Sequence, residues 1–179
     1  MDSTVLDRPA PRSSVETRDS ARDAVQEARA TFVTLTIADQ LCGIPVLAVR
    51  DILGEQVITR IPLAAREIAG SLNLRGRIVT AIDLRRRLGL PDAAPGSARM
   101  SAVAEQGGDL YALLVDQVSE VLTLSAAAFE PNPPTLPPHW AAFSTGIYRL
   151  QDRLLVVLDV GRLLALGPDT HGSKPHGRA

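Results

Sequence analysis

Chemistry in this chain would have to come from a few side chains. His139 sits in a proline-rich stretch, His171 and His176 lie in a polar C-terminal run, and none has a second ligand at metal spacing. Cys42 is the lone cysteine and lies within an apolar run, the setting of a small core residue rather than a nucleophile. Asp83 and Asp159 each stand just before a short helical segment, so N-capping accounts for both better than a paired acid and base. Gly107-Gly108 reads as a hairpin turn, because a phosphate loop needs a helix starting behind it. Arg85-Arg-Arg87 lacks interleaved aromatic residues and reads as a solvated helix face. The sequence therefore predicts no catalytic residue, no metal and no cofactor, and what remains is a surface for binding.

The elements that would position such a surface are organised around residues 70 to 91. Ser71 to Leu74 reads as a strand, Arg75-Gly-Arg77 as a tight reversal and Ile78 to Ile82 as a β-branched strand. Asp83 then caps a helix from Leu84 to Leu88, closed by Gly89 and Pro91. The same unit recurs 76 positions later, pairing Gly70 with Gly146, Leu74 with Leu150, Asp83 with Asp159 and Arg86 with Arg162. A second match, at a shift of 69, pairs Leu41 to Val46 with Leu110 to Val115, and continues from Val49, Asp51 and Ile52 to Val118, Glu120 and Val121. Two matches in the same chain order favour a duplicated module.

Composition narrows the class. Hydrophobic residues at 45% can fill a core, and aromatics at 3% make that core mostly aliphatic. A net charge of −1 gives no electrostatic case for nucleic acid or an anionic membrane. No apolar run reaches the roughly 20 residues of a spanning helix, and the start lacks the pattern of a signal peptide, so the expected location is cytoplasmic.

Residues 1 to 30 hold few large apolar side chains and read as a disordered tail; 168 to 179 read as a second, flexible one. Between them, short strands are expected at Thr31 to Ala38, Leu41 to Val46, Val49 to Leu53, Glu55 to Thr59, Met100 to Glu105, Leu110 to Asp116 and Val118 to Leu124. Ala64 to Ala69 reads as a short helix. Five prolines in Phe129 to Pro138 predict an extended surface segment. The fold class is all-β, built as small barrels with short helices.

Several of these residues also carry a family resemblance. Asn73-Leu-Arg-Gly76 with Ile82-Asp-Leu-Arg85 is similar to the signature of CheW-like domains, the coupling proteins of bacterial chemosensory arrays. Phe32 with the Leu and Ile that follow it, Ile44-x-Val-x-x-Val-x-Asp-Ile52, Val115-Asp-x-Val-x-Glu-Val121 and Leu158-Asp-x-x-Arg-Leu163 support it. The resemblance spans about residues 31 to 167. It departs at Thr80, where many members have Pro, at Cys42, where they have an aromatic, and at Asp51, where they have Glu.

The resemblance implies two five-stranded barrels side by side, about 31–95 and 96–167, with terminal strands open to exchange between them. It further implies a non-enzymatic adaptor between the cytoplasmic tip of chemoreceptors and the regulatory domain of a CheA-like histidine kinase. A groove lined by Val46, Val49, Leu74 and Val121, flanked by Asp51 and Arg75, would grip the receptor. The stretch Gly54, Glu55, Gln56, Val57, Thr59 and Arg60 would meet the kinase. The alternatives are a chemosensory-like pathway with a non-flagellar output, or a small-molecule-binding barrel, which would need a polar pocket with perturbed titratable groups.

Overall fold

The computed structural model describes residues 28–166. The expected tails therefore fall outside the described residues, except that the first strand already begins at Arg29. Eleven strands follow in chain order: β1 Arg29–Ile37, β2 Gln40–Pro45, β3 Val49–Leu53, β4 Ile68–Leu74, β5 Arg77–Asp83, β6 Met100–Gln106, β7 Asp109–Val115, β8 Gln117–Ser125, β9 Phe129–Glu130, β10 Ser144–Arg149 and β11 Leu154–Leu158. Three helices of one turn or slightly more punctuate them: α1 Leu84–Arg87, α2 Pro138–Ala141 and α3 Val160–Leu164.

Tight turns set the strand pairing. Three hairpins close over two residues with positive φ, namely Ala38-Asp39, Arg75-Gly76 and Gly107-Gly108. Two such residues twist the turn in the sense the flanking strands need. At Arg75, a non-glycine residue at φ +50°, the bend is supported by Asn73, whose Oδ1 accepts from Gly76 N at 2.7 Å.

The strands form two sheets. One, here lobe I, runs β8-β1-β2-β11-β10-β9; the other, lobe II, runs β3-β6-β7-β5-β4. Both are antiparallel apart from one central parallel pair each, β2 with β11 and β5 with β7. The repeat explains the matching orders: β8, β1, β2, β11 and β10 of lobe I occupy the places of β3, β6, β7, β5 and β4 of lobe II. Strands are thus exchanged, and the boundary at 95/96 separates the halves of the repeat rather than the two sheets.

Neither sheet closes as a continuous ladder, so the expected pair of closed five-stranded barrels becomes two curled sheets of six and five strands. In lobe II the chain beyond β3 crosses back to the opposite edge, where Thr59 N and O exchange 2.8 Å bonds with Ser71 O and N on β4. In lobe I, β9 follows β8 through a 3₁₀ turn and pairs with β10 in the same way. These crossings need glycine. A Cβ on Gly70 would overlap Thr59 O, and one on Gly146 would overlap the Phe129 ring and Glu130 O.

Three local expectations change. Residues 64 to 69 form no helix: turns lead directly into β4, which takes Ile68 and Ala69. Residues 55 to 59 form no strand beyond the single Thr59 bridge. Pro138, expected at the end of the extended segment, instead opens a helical turn, at the position where its missing N–H costs nothing.

The largest core cluster lies between the lobes. Leu35, Ile37, Cys42 and Ile44 from lobe I meet Ile82, Leu84, Leu113 and Val115 from lobe II, with Trp140 among them. Each lobe also has an inner cluster: Phe32, Tyr148, Leu155 and Val157 in lobe I, and Leu72, Val79, Ala81, Ala112 and Leu114 in lobe II.

Two of the three arginines of α1, Arg85 and Arg87, join the lobes instead of facing solvent, while Arg86 pairs with Asp83 and Asp92. Arg85 Nη2 and Nε donate to Asp116 at 2.6 and 2.8 Å, and Asp116 Oδ2 accepts from Ala38 N at 2.7 Å. Arg87 donates to the carbonyls of Leu163, Arg162 and Ala165 at 2.7–3.0 Å, satisfying the end of α3. Its guanidinium also lies 5.0 Å from the centre of the Phe143 ring.

Candidate functional site

Of the residues expected at the receptor groove, the structure joins Asp51 and Arg75 directly. Arg75 Nη2 donates to Asp51 Oδ2 at 2.8 Å, while Asp51 Oδ1 accepts from Ile52 N at 2.9 Å. These residues come from β3 and from the β4–β5 turn, at opposite ends of the sheet order. Their contact is possible because lobe II curls until its edges meet. The pair is open to water, with the Arg75 side chain 82% exposed.

Leu74, beside this pair, is half-buried against the inner cluster of lobe II. Val49 is half-buried against the inter-lobe core and pairs with Ala104 on β6. Val121 lies on β8 opposite Val33 and is 57% exposed. Val46 begins the 3₁₀ turn after β2 and lines a different recess, the apolar cavity of lobe I. Asp51, Leu74 and Arg75 thus gather on lobe II, Val49 and Val121 lie on the outermost strands of two sheets, and Val46 stands apart.

The expected kinase-facing residues, Gly54, Glu55, Gln56, Val57, Thr59 and Arg60, are all exposed. They form the segment that crosses lobe II's edge. Glu55, Gln56 and Arg60 line a cavity of about 290 Å³ with Asp83, Arg86 and Arg99. Arg99 holds Asp83 in a two-pronged grip at 2.6 and 3.0 Å, and the same carboxylate caps α1 by accepting from Arg86 N at 3.3 Å. Burial pushes the Asp83 carboxyl up, but the Arg99 bonds and the charges of Arg99 and Arg86 outweigh it and hold it below its ordinary value. Asp83 is therefore a fixed anion, unsuited to acid–base work near neutrality.

Sequence reasoning missed Arg99, which no motif marks. Its position 69 residues after Ala30 was the one available signal, a charged residue where the repeat has a methyl group. It also missed the pocket of lobe I, about 640 Å³, where Phe32, Phe129 and Tyr148 stack edge to face at centroid distances of 5.5 and 5.4 Å. Burial raises the Tyr148 hydroxyl and drives the Cys42 thiol far up, leaving Cys42 an inert core residue. Among the described residues, no three His, Cys, Asp or Glu side chains gather as a metal site, and no helix is long and apolar enough to cross a membrane.

Comparison with known proteins decides the family. The model of the CheW-like domain matches residues 31–167. The chain belongs to the CheW-like family. It is 32% identical to the chemotaxis protein CheW of Klebsiella aerogenes over 134 residues, covering 75% of this chain and 81% of that protein. It is 29% identical to the chemotaxis protein CheW of Rhizobium meliloti over 129 residues, covering 72% and 83%. The crystal structure of the scaffolding protein TtCheW from Thermoanaerobacter tengcongensis superposes with a TM-score of 0.69 at 28% identity, covering 78% of this chain and 95% of that one. As a CheW-like protein the chain is a non-enzymatic adaptor scaffold of chemotaxis signalling, a family whose role is to couple receptors to CheA.

Proposed function

We propose that the seam where the edges of lobe II meet, together with the neighbouring edge of lobe I, forms the receptor contact, with Val49, Asp51, Leu74, Arg75 and Val121 as its residues; Val46, which lines the lobe I recess, is left outside it. The kinase contact is the crossing segment, Gly54, Glu55, Gln56, Val57, Thr59 and Arg60, and its partner is the regulatory domain of a CheA-like kinase. The adaptor works in the cytoplasm at membrane-associated receptor arrays. The observation that carries this reading is the Asp51–Arg75 pair: an exposed arginine and a half-buried aspartate from opposite sheet edges, beside half-buried Leu74, fix a register for an incoming helical tip more than they add affinity. To transmit a signal, the adaptor must bind the two states of its partners with different affinity.

The test is one substitution read on two partners. Val121→Glu should leave the melting temperature within a few degrees of wild type, because the side chain is more than half exposed. It should abolish co-sedimentation with receptor cytoplasmic fragments while kinase binding survives. A folded variant that still binds receptor removes Val121 from the site. Loss of both partners together would show that the two contacts are not separate.

A further inference from the structure

Beneath the crossing segment, lobe II collects more positive charge than it uses. The cavity of about 290 Å³ has three guanidinium groups on its lining, Arg60, Arg86 and Arg99. An adjoining recess of about 460 Å³ shares Arg60, Ala69 and Arg86 and adds Arg66, Ile61 and Leu63. Against these four arginines stand two carboxylates on the lining, Glu55 and Asp83, and a third, Asp92, beside Arg86. Asp83 is already engaged by Arg99, and Arg86 divides itself between Asp92 at 3.0 Å and Asp83 at 3.7 Å. Arg60 and Arg66 have no ion pair or side-chain hydrogen bond among the described residues, and Arg99 Nε is buried without a partner there. Apolar side chains accompany the charge: Leu63 and Ile61 line the adjoining recess, Leu63 almost fully exposed and Ile61 partly so, and Val57, in the chain between the lining residues Gln56 and Ile58, is almost fully exposed.

We propose that this recess receives an acidic side chain, flanked by apolar ones, from the kinase's regulatory domain. The inference rests on the reading of the Gly54–Arg60 face as the kinase contact, and it names the chemistry that face selects. A guanidinium fork fits a carboxylate with two parallel bonds, and a recess that excludes water strengthens them. Arg86 and Arg99 are pinned by Asp83, which leaves Arg60 and Arg66 to close on the incoming group, and of these Arg60 alone lines both recesses. A free anion would have no use for the apolar side chains, whereas a polypeptide would cover Val57, Ile61 and Leu63 around the charge. The corresponding recess of lobe I has Ala30 where lobe II has Arg99 and Phe32 where it has Ser101, so the choice of partner is built into one lobe.

Titration of the full-length chain against the regulatory domain of its cognate histidine kinase, at about 50 and 300 mM salt, tests this. Arg60→Glu should raise Kd at least tenfold, Arg60→Lys no more than about threefold, and Arg60→Ala should flatten the salt dependence. Since Arg60 is exposed, melting temperatures should stay close to wild type. Reversing single acidic residues on the kinase domain to Arg should yield one that restores Arg60→Glu to within about threefold. If wild type binds and Arg60→Glu binds within twofold of it, the proposal is overturned while the kinase contact stands. If wild type does not bind the kinase domain, the contact fails and the proposal with it. Saturable stabilisation of wild type, but not of Arg60→Glu, by millimolar inorganic phosphate would assign the recess to a free anion and overturn the polypeptide occupant.

Discussion

The two lobes share a backbone plan and differ in what lines it. Both carry a strand segment crossing from one sheet edge to the other, a glycine under the crossing, and an aspartate capping a one-turn helix. Inside that common frame, lobe I places Phe32 and Tyr148 where lobe II has Ser101 and Leu72, and its recess is apolar. Lobe II has Arg99 in place of Ala30, and its recess is charged. Backbone conformation is repeated because turns, caps and close approaches admit few residue types. Linings diverge because any side chain of tolerable volume satisfies the same strand. In this duplicated fold, the frame comes from the repeat and the contrast between the lobes from departures from it.

The largest expected effect tests whether the crossings are equivalent. Gly70→Ala forces a methyl group into the Thr59 carbonyl, and the backbone there is held by two 2.8 Å bonds and cannot easily retreat. It should cost about 3 kcal/mol or more, measured by urea unfolding. Gly146→Ala meets the Phe129 ring as well as Glu130 O, and a ring at an exposed edge can swing aside, so its cost should be smaller. Equal or reversed costs would break the equivalence.

Next come the caps. Asp83→Ala removes a cap and also strands Arg99, whose partner is 4% exposed, and should cost about 3 kcal/mol. Asp159→Ala removes a cap and an exposed pair with Arg162, and should cost about 1 kcal/mol. A double variant Asp83→Ala/Arg99→Ala that recovers part of the loss would show that the stranded charge, not the cap, makes the difference.

The latch between the lobes should be sensitive to acid. Burial pushes the Asp116 carboxyl up, but the Arg85 bond and charge and the Ala38 N–H outweigh it and hold it below its ordinary value. A carboxyl lowered in the folded state stabilises the fold at pH values above its unfolded pKa, roughly 3.9, and loses that contribution as pH falls through the folded value. Asp116→Asn should therefore cost about 2 kcal/mol at pH 7, hold that difference to about pH 5, and approach wild type below pH 4 in thermal melts. A difference that is constant down to pH 3 would mean the lost interaction does not depend on the carboxylate charge.

Much of this frame was legible in the sequence. The shifts of 76 and 69 paired the glycines, capping aspartates and strands that hold matching places in the two sheet orders, and the Arg75-Gly76 reversal follows from the turn chemistry alone. Closure was not legible, because alternation within a strand says nothing about which edge it meets. The roles of Arg85 and Arg87 were missed for a related reason. Their acceptors lie 31 and about 76 residues away, and local pattern shows a basic run without showing what covers it. At the site, Asp51 and Arg75 are 24 residues apart and belong to opposite ends of one sheet, so their direct contact was not visible in local pattern either.

The smallest expected effect on stability falls on that pair, and it sharpens the contrast with Asp83–Arg99 in the same lobe. Both are Asp–Arg pairs at about 3 Å or less, yet Asp83 is buried and Arg75 is 82% exposed. Water screens the Asp51–Arg75 attraction and competes for both partners, so Arg75→Ala should cost only about 0–1 kcal/mol. If the pair works in docking, its value appears on binding, when a partner displaces that water and leaves two charges that must satisfy each other. Arg75→Ala and Asp51→Ala should then each weaken receptor binding, and the double variant should lose less than the sum of the two. Additive losses would mean that each residue meets the partner independently and that the ion pair is incidental to the free protein. A stability cost near that of Asp83→Ala would mean instead that the seam is held shut by this pair, and that its charges belong to the fold.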